Sequence, residues 1–256
     1  RMIMKRKILG IIALTVLCTL CFGLSAGISD DKVYINGFDA AYPPFTFIDK
    51  SGKPAGFDID AIDWIAKEMG FNVKHQPTDW AAIVPSLKAK KIDLIASGMS
   101  ITPERQEAVN FCEPYWEVKQ LLVVKKDSPL SVEEALKPDR KIGLLRGSAE
   151  SKWITENLLK KGYKFQLMQY DTTEMAIEEV ANGRADAATV SNTALKEAVD
   201  KGLPVKSIGS YGQPDVDYGY AVRKEDSQLQ DTLNEGLKRL KASSYWDELV
   251  KKWDMK

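Results

Sequence analysis

Beyond residue 32 the apolar positions alternate between short runs and a three-to-four-residue period. Val33-Tyr34-Ile35-Asn36 reads as a first strand. Phe57-Asp58-Ile59-Asp60 opens a helix whose apolar positions are Ile59, Ile62, Ile65, Ala66 and Met69, and Gly70 stops it. Residues 71–74 form the next strand, and a helix is expected over 81–89, with Pro85 near its start or kinking it. Buried strands follow at 92–96 and 119–125. The pattern then repeats. Ser131-Val132-Glu133-Glu134 is a capping box, 141–145 a strand, 148–159 a helix and 165–170 a strand. Asp171-Thr172-Thr173-Glu174 caps a helix running to Asn182-Gly183. Residues 185–190 are strand-like, 192–200 helical and 218–222 a late strand, and helices near 228–241 and 245–253 finish the chain. Strands separated by helices predict parallel sheets covered on both faces. About ten strands in this length fit two small α/β lobes. No Gly/Ser-rich linker separates them, so strands rather than a tether join the lobes.

The first residues follow another logic. Lys5-Arg6-Lys7 precedes an uncharged apolar run from Ile8 to Leu24, and Ser25-Ala26-Gly27 supplies small residues before the chain turns polar. Residues 1–26 therefore read as a secretory signal peptide, the alternative being an uncleaved anchor at the short limit for spanning a bilayer. Without them, Arg1, Lys5, Arg6 and Lys7 are lost and no acid goes, which leaves 32 Lys and Arg against 36 Asp and Glu. That net charge of −4 excludes a strongly basic nucleic-acid binder. Cys18 and Cys21 leave with the signal, so Cys112 stays without an internal disulfide partner and reads as a small core residue. With His75 the only histidine, no site needing two imidazoles is possible. Neither a metal nor a cofactor is expected. Asp58 and Asp60 resemble a catalytic carboxylate pair, but their place at a helix start reads as N-cap and first-turn charge facing the helix dipole.

Three stretches occur in order: Tyr42-Pro43-Pro44-Phe45, Gly56-Phe57-Asp58-Ile59-Asp60, and the segment 92–115, IDLIASGMSITPERQEAVNFCEPY. With Leu145-Arg146-Gly147-Ser148, Gly183-Arg184-Ala185-Asp186-Ala187 and the segment 218–224, they resemble the family 3 extracellular solute-binding proteins, the polar amino-acid receptors of bacterial ABC importers. The resemblance covers essentially the whole chain after the signal. It implies a type II periplasmic binding fold: two Rossmann-like α/β lobes joined by two crossing strands. Lobe one would span 28–118 plus 215–256 and lobe two 119–214, closing over a ligand in the cleft.

Arg105 follows a turn, Ser100-Ile101-Thr102-Pro103-Glu104, leading from a buried strand into a helix. A guanidinium there can grip a carboxylate through two parallel hydrogen bonds, with Ser100 and nearby N–H groups completing the cradle. The sequence alone favours a solvated helix arginine; the resemblance assigns the carboxylate. It also implies ligand contacts through the backbone of Ser97 and Gly98, and ring walls from Tyr42 and Trp80. Trp80 could instead belong to the core. Asp39 matches an acidic position contacting a ligand's distal group, or else caps its own loop. Gly147-Ser148 offers free N–H groups to an anion, although Ser148 is also a plain N-cap candidate. Ala149 replaces a hydroxyl common in the family, which leaves only its N–H to make a contact.

One position departs from the family pattern. The strand after Gly-Arg-Ala-Asp-Ala usually ends in an Asp that binds the ligand's α-ammonium, and here that place is Ser191. Either another acid, such as Asp39 or Asp217, takes over, or the ligand has no ordinary α-amino group. Three functions follow. The leading one is a monomeric, exported, non-enzymatic receptor that delivers a small carboxylate-bearing solute, a polar or basic amino acid or a relative, to a membrane permease. The others are a cyclohexadienyl dehydratase-like enzyme on the same fold, and a sensory module for a membrane receptor.

Overall fold

The computed structural model describes residues 32–255, so the signal segment lies outside the described residues. The first stretch holds β1 (Val33–Phe38), β2 (Ala41–Tyr42), β3 (Thr46–Ile48), β4 (Pro54–Ala55), α1 (Phe57–Met69), β5 (Asn72–Pro77), α2 (Trp80–Lys88), β6 (Leu94–Ile95), α3 (Pro103–Ala108), β7 (Asn110–Phe111) and β8 (Trp116–Val118). The second holds β9 (Gln120–Lys125), α4 (Val132–Ala135), β10 (Lys141–Leu145), α5 (Ala149–Asn157), β11 (Gln166–Tyr170), α6 (Thr173–Ala181), β12 (Ala187–Ser191), α7 (Asn192–Asp200) and β13 (Val205–Gly209). The chain then returns through β14 (Val216–Tyr218) and β15 (Ala221–Val222) to α8 (Ser227–Ala242) and α9 (Ser244–Lys252).

Two five-stranded sheets result, in the orders β5-β1-β6-β15-β7 and β11-β10-β12-β9-β13. In each, three strands run parallel around a central one, β1 in the first and β10 in the second. The sheets are nevertheless mixed, which corrects the all-parallel expectation. β15 runs antiparallel to β6 and β7, and β9 antiparallel to β12 and β13. Each of these strands enters from the other lobe rather than through a crossover helix, so nothing forces it parallel. Between the lobes β8 and β14 pair antiparallel, with Val118 opposite Val216 and Trp116 opposite Tyr218.

Local signals account for most of the elements. α1 buries Phe57, Ile59, Ile62, Ile65 and Ala66 on one face, and Gly70 ends it at φ 73°. α8 packs against α1 closely enough that a Cβ on Gly236 would lie 2.5 Å from Ile65 Cγ2, so a side chain there would drive the helices apart. The capping box at Ser131 and Glu134 is present in full. Pro85 is interior to α2, which continues to Lys88 without a backbone donor at that residue. β6 is shorter than the run 92–96, and side-chain oxygens accept amides beside both of its ends, while Asp93 N still donates to Ile35 O at 2.7 Å. Ile35 N donates to Asp93 Oδ2 at 2.9 Å, and Ala96 N donates to Asn36 Oδ1 at 2.8 Å. Cys112 is buried and free, and burial pushes its thiol up to about 12, so it is core and not a nucleophile.

Candidate functional site

The carboxyl ends of the central strands in both sheets point at one cleft, where open α/β sheets generally bind ligands. It encloses about 450 Å³, counted out to open solvent. Asp39 and Tyr42 follow β1, Gly98 and Ser100 follow β6, and Trp80 and Arg105 come from α2 and α3. From the other lobe come Leu145 at the end of β10, Ser148 at the N-cap of α5, Ala149 and Glu150 in its first turn, Thr173 of α6, and Thr189, Val190 and Ser191 of β12; Tyr218 belongs to the connecting ribbon.

Arg105 owes its place to the helix start at Thr102, whose hydroxyl accepts from Arg105 N at 3.2 Å while Pro103 pre-sets the first turn. Its Nη1 donates to Ser100 O at 3.0 Å and its guanidinium carbon lies 5.2 Å from the Trp80 ring centroid. The ring thus holds the arginine as well as walling the cleft. Opposite, Ser148 is the N-cap of α5 and accepts from Ser151 N at 3.1 Å. The amides of Ala149 and Glu150 lie in the first turn, where a helix leaves its N–H groups without intrahelical acceptors. Guanidinium and helix start meet across the cleft, where Arg105 Nη2 donates to Gly147 O at 3.4 Å, so hydrogen-bond donors from both lobes border the same space.

Asp39 is 6% exposed. Its Oδ1 accepts from Ala41 N at 2.9 Å, so it does cap its own loop while also lining the cleft. Burial raises its pKa to about 6, opposed by the Ala41 bond and reinforced by the charge of Asp79. Ser97 is buried away from the cleft. Its hydroxyl accepts from Asp39 N at 2.9 Å and pairs with Thr46 Oγ1 at 2.9 Å, so its side chain positions Asp39.

Gly98 sits at φ 55° with the Tyr42 and Tyr218 rings against its α-carbon; a Cβ would lie 2.6 Å from Tyr42 Cε1. Behind it, Gly98 N donates to Asp58 Oδ2 at 2.7 Å, and Tyr115 OH donates to the same oxygen at 2.8 Å. Asp58 is completely buried, and burial lifts its pKa to about 7 despite these donors. Asp58 and Asp60 do lie in the first turn of α1, but the N-cap is Gly56 and neither carboxylate caps the helix, which corrects the cap half of the reading: Asp58 is a buried prop under the cleft floor. Asp60 instead accepts from Lys252 Nζ and Trp253 Nε1, both at 2.7 Å, pinning α9 to α1.

Ser191 lines the cleft with its hydroxyl already engaged. Oγ pairs with Tyr42 OH at 3.0 Å and Thr193 Oγ1 at 2.9 Å, and accepts from Ala194 N at 3.1 Å as the N-cap of α7. One donor and two acceptors are the whole capacity of a serine hydroxyl. Tyr42 OH also meets Tyr218 OH at 2.6 Å, so this cluster clasps the lobes. Glu104 with Lys152 at 3.5 Å, and Lys196 with Asp254, add ion pairs between them. Asp217, the other substitute acid considered, is exposed on β14 and does not line the cleft. The acid that does, beside Asp39, is Glu150, which the sequence reading passed over one residue after Ala149. The available signal was its position in the first turn of a helix that starts at a strand end.

The sequence profile of the bacterial extracellular solute-binding proteins, family 3, matches residues 34–256. The L-arginine-binding protein of Pseudomonas aeruginosa is 30% identical over 97% of this chain and 96% of its own length. The histidine-binding periplasmic protein of Salmonella typhimurium is 30% identical over 85% of each chain. Among solved structures, an ancestral arginine-binding protein bound to arginine is 36% identical, covers 86% of this chain and 97% of its own, and superposes with a TM-score of 0.77. An ancestral amino-acid-binding protein described as a precursor of cyclohexadienyl dehydratase is 35% identical, with a TM-score of 0.78 over 86% of this chain and 95% of its own. Two sheet-and-helix lobes on a connecting ribbon, with a charged cleft between them, are thus the type II periplasmic binding fold, and the chain belongs to the bacterial extracellular solute-binding proteins of family 3.

Proposed function

We propose that this chain is an extracytoplasmic receptor that captures a basic L-amino acid and delivers it to the membrane permease of an ABC importer. Capture closes a lobe made of 28–118 plus 215–256 onto one made of 119–214. The observation that carries the reading is the charge inventory of the cleft: one cation, Arg105, faces two acids, Asp39 and Glu150, among the described residues. A ligand with one carboxylate and two cationic groups neutralises all three, whereas an amino-free acid or a neutral amino acid leaves at least one carboxylate unmatched in a desolvated cleft. Relatives named for arginine and histidine support the same ligand class.

Arg105, Ser100 and the amides of Ala149 and Glu150 take the ligand carboxylate. Asp39, held by Ser97, takes the side-chain cation, while Tyr42 and Trp80 flank the methylenes. Gly98 contributes close backbone approach, Ser148 shapes the helix start, and Ser191 holds the clasp. This assignment asks for binding alone, and no step of it needs a catalytic residue.

A thermal-shift panel of the common amino acids, their amines and amino-free acids tests it after unfolding and refolding to remove carried-over ligand. Saturation at 100 times Kd adds about 2.7 kcal/mol, or roughly 5–11 °C in a chain this size. The proposal predicts shifts with at least one of L-arginine, L-lysine, L-ornithine and L-histidine. Shifts confined to neutral or acidic solutes would reject it, and turnover of prephenate or arogenate would favour the dehydratase reading.

A further inference from the structure

Ser191 ends β12 at the cleft with its hydroxyl fully occupied, so it offers the ligand's amino group no free acceptor and the counter-charge must come from elsewhere. In any α-amino acid the ammonium nitrogen lies only ~2.5 Å from the carboxylate carbon, as two bonds and a near-tetrahedral angle require. The partner acid must therefore stand beside the groups that take the carboxylate. Asp39 does not. Its charge neighbour is Asp79 rather than Arg105, and one of its oxygens is already held by Ala41 N. Glu150 does stand there. It belongs to the first turn of α5, next to Ala149, and lines the cleft. Its charge acts on the Arg105 guanidinium and on the hydroxyls of Tyr42 and Tyr218, the groups that surround Ser191. It forms no hydrogen bond or ion pair within the described residues, although most other half-buried acids of this chain are paired.

We propose that Glu150 is the specificity-determining acid that receives the ligand's α-ammonium, so that this receptor reads the amino group from the start of α5 instead of from the end of β12. The assignment rests on the amino-acid-receptor reading above and adds where its selectivity for α-amino acids comes from. Arg105 takes the carboxylate from lobe one while Glu150 takes the ammonium from lobe two, so the α-carbon substituents bridge the lobes. A ligand lacking the ammonium keeps the carboxylate contacts and leaves the Glu150 carboxylate unmatched in the cleft.

The test is titration calorimetry on the refolded protein with two matched pairs: L-arginine against 5-guanidinopentanoate, and L-lysine against 6-aminohexanoate. Each pair differs only in the α-amino group. In the wild type the α-amino acid should bind roughly 10- to 100-fold more tightly than its amino-free partner, as one charge-assisted bond provides. Glu150→Gln should erase that gap by weakening the amino acid while leaving the amino-free acid within about threefold. Ser191→Asp in the Glu150→Gln background should restore the gap, since Asp also serves as an N-cap for α7. Melting curves of each variant show whether the fold is kept. A gap that survives Glu150→Gln, or a wild type that binds both members of a pair equally, overturns the assignment while leaving a carboxylate receptor in place. A wild type that binds none of the four ligands, and neither L-ornithine nor L-histidine, overturns the amino-acid reading itself, and the Glu150 assignment with it.

Discussion

The affinity for a basic amino acid should fall as the medium is acidified, and Asp39 sets the window. Its pKa of about 6 in the free cleft reflects burial, only partly offset by the Ala41 amide. Only the ionised carboxylate attracts a side-chain cation, so protonation competes with the ligand. The apparent Kd carries a factor of one plus the ratio of protonated to ionised Asp39, about 1.1 at pH 7 and about 11 at pH 5. Affinity should thus drop about tenfold between those values, close to 1.4 kcal/mol, and change little from pH 7 to pH 8. Near pH 6 binding should expel about half a proton, which calorimetry in buffers of different ionisation enthalpy reads directly. Asp58 titrates near 7 behind Gly98, so the assignment rests on the difference between wild type and Asp39→Asn. The variant should bind more weakly at pH 7 and lose the tenfold slope. An unchanged slope in the variant, or a flat wild-type profile, would refute the role given to Asp39.

Three further outcomes follow from the same geometry. Arg105→Ala should cost two charge-assisted bonds, a loss of roughly 10²- to 10⁴-fold in affinity by calorimetry at nearly constant melting temperature, and Arg105→Lys should recover only part of it. Gly98→Ala places a Cβ 2.6 Å from Tyr42 at a positive φ, so a melting temperature lower by several degrees and at least tenfold weaker binding are expected. Asp58 is raised from 3.8 to about 7, so the folded state holds a proton that the unfolded state releases between those values. Stability should fall as pH rises through that window, by on the order of 4 kcal/mol, whereas Asp58→Asn should show a flatter profile in denaturant melts at pH 4 and pH 7.5.

What could be read from the sequence was what neighbouring residues dictate. The period of α1, its stop at Gly70, the box at Ser131 and the turn that delivers Arg105 are set within a few positions, and the structure has them. The short strands β7, β14 and β15 were merged or missed because each is two or three residues long and is defined by partners a hundred residues away. The same limit hid the chemistry behind the cleft. Nothing local to Asp58 announces that it will face Gly98 across 40 residues, or that Ser191 will spend its hydroxyl on Tyr42 across 149. Asp60 has the same local surroundings as Asp58 and ends as a pin for α9, so spacing alone does not separate the two roles. Glu150 was passed over for a related reason: its interest comes from what it does not pair with, which appears only once both lobes are in place.

The central claim is that the cleft takes a zwitterionic head group and a side-chain cation together. Calorimetric titration of the ligand-stripped protein with L-arginine and agmatine, which differ only in the carboxylate, tests it most directly. The account predicts heat and a 1:1 isotherm with L-arginine, or with another basic amino acid in its place, and at least a hundredfold weaker binding of the corresponding amine. Equal binding of acid and amine, or binding of the amine alone, would contradict it.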